Sequence, residues 1–225
     1  MTSGRQVALL FFGAYLVGGV PFGLLVARLR GIDIRRHGSG NVGATNVGRV
    51  LGRPWGILVF VLDVAKGAAC TASVGFIMPD STSTWTAHRD LIWLGAGLAC
   101  VLGNVAPVYL KFRGGKGVAA SLGALFGIYP FLTWPGLAAL LIWGLVVKAT
   151  GYVSLGSILA ASLLPLLFSA LCWRMGWGLA EHFPLLGLCI GMAILVLMRH
   201  WENIGRLLAG TENKVPRRQQ GSGER

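Results

Sequence analysis

Residues 118–147 read VAASLGALFGIYPFLTWPGLAALLIWGLVV, an apolar run without a charged side chain. One membrane-crossing helix needs about twenty apolar residues, so the run is too long for a single ordinary span. Pro130 and Pro135 interrupt it, and Trp134 stands at the break, where an indole suits a membrane–water interface. The run therefore reads as two helices, 117–130 and 133–148. A single hairpin dipping into the bilayer would instead reduce the chain to five spans with every loop on the same side.

The other apolar segments read as helices over 6–27, kinked at Pro21, 54–77, with Pro54 at the helix start, 90–110, 153–172 and 183–198. Polar turns occupy 79–89 and 173–182, and the tail from 199 is polar and basic, with 215–225 expected to be disordered. The fold class is an all-α polytopic membrane protein with seven transmembrane helices, one domain over 1–225. Composition agrees: 54% of the 225 residues are apolar and 12% charged. The net charge of +12 is explained by topology and calls for no nucleic acid. With the N-terminus outside and the C-terminus cytoplasmic, sixteen of the 20 Lys and Arg residues fall inside, against Arg5, Arg89 and Arg174 outside. The first apolar run lacks a small-residue cleavage site and reads as a retained span. Cys70, Cys100, Cys172 and Cys189 have neither metal-ligand nor CxxC spacing and read as packing residues without disulfides.

This orientation gathers three polar motifs on the cytoplasmic face. The first, His37 to Arg49 (HGSGNVGATNVGR), is expected to be a loop that holds an anion. Its glycines allow positive φ and close approach, and free N–H groups in such a turn form a concave anion site. Ser39, Asn41, Thr45 and Asn46 add hydrogen bonds, and Arg49 a bidentate fork. The second, Phe112 to Ala120 (FRGGKGVAA), sets Gly114, Gly115, Lys116 and Gly117 at a helix start, where free N–H groups and the dipole favour phosphate. It is not a Walker A loop, since Gly117 follows the lysine. The third, His200 to Lys214 (HWENIGRLLAGTENK), puts His200, Asn203 and Arg206 on one helical face. Ser154 lies at the same level as a further hydroxyl or a helix N-cap. Asp63 and Lys66, i and i+3 within a span, read as an internal ion pair that fixes helix packing. The scattered histidines offer no metal site, and no GxSxG elbow occurs, so neither metal nor covalent serine chemistry is expected.

Together these motifs resemble the bacterial glycerol-3-phosphate acyltransferases that use acyl phosphate as donor, the PlsY family. The resemblance rests on GSGNVGATNVGR (38–49), LDVAKG (62–67), KFRGGKGVA (111–119), GYVSLGSI (151–158) and HWENIGRLLAGTENK (200–214). Asn104 stands where a histidine is expected, and Ala120 where a threonine is expected. The resemblance implies a multi-pass enzyme of the bacterial inner membrane, its active site on the cytoplasmic side. It would transfer a fatty acyl group from acyl phosphate to the 1-hydroxyl of glycerol 3-phosphate, giving lysophosphatidic acid and phosphate without a cofactor. A soluble phosphate acyltransferase would supply the donor.

An acyl phosphate is already activated, so what remains is to orient a hydroxyl and stabilise charge on the leaving phosphate. In the expected site Ser39, Arg49 and Lys116 hold the phosphate of glycerol 3-phosphate. The backbone of Gly114, Gly115 and Gly117 cradles the acyl phosphate. His200 and Asn203 orient the glycerol hydroxyls, with Lys116 counted beside them as catalytic, and Asn41, Thr45, Asn46, Ser154 and Arg206 complete the polar walls. Either His200 or the substrate's own phosphate serves as base. Competing classes are a membrane transporter of a phosphorylated metabolite and a structural protein whose charges serve topology alone.

Overall fold

The computed structural model describes residues 3–77 and 87–214. Most of the expected 79–89 turn and the 215–225 tail lie outside the described residues, which contain ten α-helices and no strand. These are α1 (Gly4–Gly19), α2 (Phe22–Leu29), α3 (Ala44–Leu51), α4 (Arg53–Ile77), α5 (Ala87–Val105), α6 (Val118–Phe126), α7 (Thr133–Thr150), α8 (Val153–Met175), α9 (Phe183–Arg199) and α10 (Trp201–Leu208).

Five stretches are long and apolar enough to cross a membrane: Gly4–Leu29, Arg53–Ile77, His88–Leu110, Thr133–Thr150 and Val153–Met175. α9 supplies a sixth apolar helix, and α10 bends away from its end by 59° at His200. The expected fourth span is present as α6, which has only nine residues. At 1.5 Å per residue a helix of that length reaches about 13 Å, less than half the hydrocarbon thickness. Loop 111–117, exposed at Lys111–Arg113 and buried at Gly115 and Gly117, leads into α6. The turn 127–132 then carries the chain onward, until Phe131 meets the rings of Trp177 and His182 at centroid distances of 4.7 and 4.6 Å.

Close helix crossings are made at glycines. A Cβ on Gly67 of α4 would stand 2.3 Å from the Ala120 carbonyl, and one on Gly123 of α6 would stand 2.0 Å from the Val64 carbonyl. Without side chains there the two backbones touch, as small residues allow between helices in a membrane. Ala120, whose carbonyl packs against Gly67 at this crossing, is buried and is not among the residues that line the cavity described below.

The break between α1 and α2 falls at Val20–Pro21, as Pro21 predicts. The Val20 carbonyl left there accepts from Lys66 Nζ at 2.9 Å, and Lys66 in turn lies 2.6 Å from Asp63 Oδ1. The intramembrane ion pair therefore holds the broken helix. A second buried pair, Asp90 with His182 at 2.8 Å, ties α5 to the start of α9 at the other end of the bundle.

The first motif is not all loop. Its second half is α3, which begins at Ala44 and packs Val47 into a small core with Leu24, Ile34 and Val59. Glycine and asparagine lower the local helix propensity, and burial of Val47 decides the outcome.

Candidate active site

At one end of the bundle the loops and helix ends enclose a cavity of about 630 Å³. All thirteen expected site residues line it: Ser39, Asn41, Thr45, Asn46, Arg49, Gly114, Gly115, Lys116, Gly117, Ser154, His200, Asn203 and Arg206. Three motifs, with Ser39 and Arg206 167 positions apart in the chain, thus meet at one surface. The cavity wall changes character with depth. Polar groups gather at the helix ends, while Leu125, Leu140, Leu164 and Met192 line the part among the helices.

In the first motif, Thr45 and Arg49 lie one turn apart on α3 and are exposed, as is Ser39. Arg49 has no carboxylate partner among the described residues. Asn46 has a different job. It is 2% exposed, its Oδ1 accepts from the Ser39 amide at 2.9 Å, and its Nδ2 donates to the carbonyls of His37 and Asn41 at 3.0 and 2.9 Å. Its hydrogen-bonding capacity is committed to holding the loop. Asn41 Oδ1 similarly accepts from the Gly43 amide at 2.8 Å, tightening the turn that leads into α3. Gly38, at φ +60, closes against Asn46, and a Cβ there would stand 2.3 Å from Asn46 Oδ1.

In the second motif the expected glycine cradle is corrected. The amides of Gly114 and Gly115 donate to the carbonyls of Val105 and Asn104, at 3.1 and 2.9 Å. They satisfy the exposed end of α5 and are not free for an anion. The donors that remain belong to α6, whose first N–H groups, at Val118 and Ala119, lack partners within the helix and border the cavity. Gly117, in the left-handed region at φ +78, makes the turn that aims them. Lys116 Nζ donates to Asn203 Oδ1, which joins the second motif to the third. Burial pushes the Lys116 ammonium down to about 8, against the opposing pull of Glu212.

In the third motif the 59° bend turns His200 and Asn203 inward, with 2% and 6% of their surfaces exposed. His200 Nδ1 lies 2.7 Å from the Val196 carbonyl. A carbonyl only accepts, so Nδ1 carries the proton and Nε2 is left as an acceptor. Burial first, and the Lys116 charge second, push His200 down to about 4, so the ring is neutral at physiological pH.

The residue absent from the expected site is Glu212. Its Oε1 accepts from Asn203 Nδ2 at 2.7 Å and from Ser154 Oγ at 3.0 Å, and its Oε2 accepts from Arg206 Nε at 2.8 Å. Ser154 is thus inside α8 and donates to Glu212; it does not cap the helix. Burial alone would raise the Glu212 carboxyl, but these hydrogen bonds together hold it below the ordinary carboxylate range. The available signal was its spacing within a basic tail, six residues from Arg206 and nine from Asn203. Asn104, which stands where a histidine is expected, also borders the cavity.

Residues 8–210 match the family model described as glycerol-3-phosphate acyltransferase. A protein of that name from Geobacter sulfurreducens is 43% identical over 206 residues, covering 89% of this chain and 93% of its own. One from Halalkalibacterium halodurans is 40% identical, covering 94% and 97%. Among solved structures, PlsY, an integral membrane glycerol 3-phosphate acyltransferase in its glycerol 3-phosphate form, aligns with a TM-score of 0.79 at 36% identity, covering 94% of this chain and 96% of that one. Its lysophosphatidic acid form aligns with a TM-score of 0.78.

Proposed function

The chain belongs to the glycerol-3-phosphate acyltransferase family and is a multi-pass membrane acyltransferase, and from that premise we propose that its acyl donor is acyl phosphate and its products are lysophosphatidic acid and phosphate. The observation that carries this reading is a cavity that is cationic where the helices end and apolar among them. A phosphorylated acceptor fits the first part and a fatty chain the second.

Arg49, Ser39 and Lys116 hold the phosphate of glycerol 3-phosphate, with Thr45 beside Arg49. The free amides at the start of α6 take the phosphate of the donor. His200 Nε2 accepts a hydrogen bond from the 1-hydroxyl and so aims its oxygen at the acyl carbon. Asn203 is held by Lys116 and Glu212 on either side, and it fixes the neighbouring hydroxyl. Arg206 and Ser154 keep Glu212 in place.

In the reaction the hydroxyl oxygen bonds to the acyl carbon and the bond from that carbon to the phosphate oxygen breaks. The hydroxyl proton leaves with the phosphate. A ring that protonates only near 4 is a weak final acceptor, whereas a phosphate with a second pKa of about 6 is a better one. His200 therefore orients, and the substrate supplies the base. No covalent enzyme intermediate and no cofactor is required, because the donor is already a mixed anhydride.

The active site opens to the cytoplasm of the bacterial inner membrane, where a soluble phosphate acyltransferase delivers the donor. Seven crossings, with α6 and the turn 127–132 together forming one of them, meet the excess of positive charge on that side.

The test is turnover by purified protein given glycerol 3-phosphate with either palmitoyl phosphate or palmitoyl-coenzyme A. Lysophosphatidic acid and phosphate from palmitoyl phosphate are expected. Product from the coenzyme A ester alone would overturn the donor assignment. His200→Gln, which keeps a side-chain hydrogen bond but no imidazole base, is expected to retain measurable turnover.

A further inference from the structure

Ser121 is the exception among the buried helical hydroxyls, since Thr71, Ser154 and Ser157 all have acceptors. Ser157, Ser169 and Thr150 each donate to the carbonyl four residues back, at 2.9, 2.9 and 2.8 Å, as helical hydroxyls do when nothing else is in reach. Ser121 is 6% exposed, its Oγ is buried, and it has no hydrogen-bond partner among the described residues. Its own amide donates to the Gly117 carbonyl at 2.7 Å, yet its hydroxyl does not. A buried hydroxyl left without a partner is unfavourable, and one that persists calls for an explanation.

The place of Ser121 suggests one. Val118, Ser121, Leu122 and Leu125 form one stripe of α6, at helical spacing, and all four line the cavity. Val118 brings one of the free amides at the polar end. Leu125 belongs to the apolar part. Ser121 stands between them, about 4.5 Å along the axis from Val118. Trp143 Nε1, on α7, also lines the cavity and is likewise buried without a partner among the described residues. Two residues of the wall thus carry buried donors without acceptors, Ser121 at its Oγ and Trp143 at its Nε1.

A fatty acyl donor carries one polar atom where its chain meets its leaving group, the carbonyl oxygen. We propose that the Ser121 hydroxyl donates to that oxygen, aligning the acyl carbon for attack and stabilising the negative charge that gathers on the oxygen as the hydroxyl adds. When the bond to the leaving group breaks, the carbonyl re-forms and the same hydrogen bond is retained by the ester product. Ser121 touches the reacting group, and charge development makes its contact stronger in the transition state than in the ground state.

This inference rests on acyl transfer to glycerol 3-phosphate and not on the leaving group, because phosphate and thioester donors share the carbonyl. Ser121→Ala, assayed with whichever of palmitoyl phosphate and palmitoyl-coenzyme A the wild type turns over, is expected to lower kcat about tenfold to a hundredfold. KM for glycerol 3-phosphate should be unchanged, and the melting temperature unchanged or raised, since the substitution removes an unpartnered buried hydroxyl. Ser121→Cys, a weaker donor of similar size, should fall between alanine and wild type. A kcat for Ser121→Ala equal to wild type would overturn the inference. So would a loss of kcat accompanied by a lower melting temperature, which would mark a packing role. Failure of palmitoyl phosphate alone counts against the donor assignment and leaves the reading of Ser121 to be decided by the other donor.

Discussion

Lys116 carries two properties that pull in different directions. It is buried enough for its ammonium to lose a proton near 8, and the proposed site asks it to hold a phosphate. The sign follows directly: the cation is complete below about 8 and is lost as pH rises through that value. We expect kcat/KM for glycerol 3-phosphate, which reports the free enzyme, to decline above about pH 8. Lys116→Arg, whose guanidinium does not titrate there, should flatten the alkaline decline even if its maximum is lower. His200 behaves in the opposite sense. Burial keeps it neutral from neutrality down to about 4, so its ring should not impose an acid limb between pH 5 and 7. Glu212 shows how one side chain governs several. With Asn203, Ser154 and Arg206 all bonded to its carboxylate, Glu212→Gln replaces an oxygen acceptor by a donor and leaves Arg206 without its 2.8 Å anion. A loss of kcat of tenfold or more is expected, on the scale of one charge-assisted hydrogen bond. Steady-state rates of the purified variant check it, and a variant as active as wild type would refute the role.

Among the elements, the long apolar helices were legible because their composition leaves few alternatives, and their ends fall close to the prolines and glycines that mark them. Three features were not. α3 is an eight-residue helix in a glycine- and asparagine-rich stretch, and its existence depends on contacts of Val47 with residues far away in the chain. Asn46 has the side chain of a ligand, but only the folded loop shows its bonds running to His37, Ser39 and Asn41. The amides of Gly114 and Gly115 look free until α5 is brought up to them. In each case the deciding partner is distant in sequence. The crossing of α4 and α6 makes the complementary point, since glycine there reflects lack of space. Gly123→Val would drive a side chain into the Val64 carbonyl and is expected to destabilise the protein by about 1–3 kcal/mol or more. Thermal unfolding in detergent measures this, and Gly144→Ala, where a Cβ meets nothing within 4 Å, is the control that should melt like wild type.

For the whole molecule, the distribution of charge predicts which way the cavity faces. A membrane-impermeant maleimide should label Thr45→Cys, at the exposed start of α3, in inside-out vesicles and not in intact cells stripped of their outer membrane. The reverse pattern would invert the topology. The bend at His200 has a mechanical meaning as well. α9 is one arm of a lever, clamped by its neighbours; α10 is the other, and it presents Trp201 and Leu208 outward at 77% and 86% exposure. A force that tilts one arm against the other turns at the histidine between them. Bilayer thickness then becomes a control on chemistry: in nanodiscs of progressively shorter lipids the strain falls on the bonds that tie α10 to Lys116 and Ser154, and kcat should change with His200 intact.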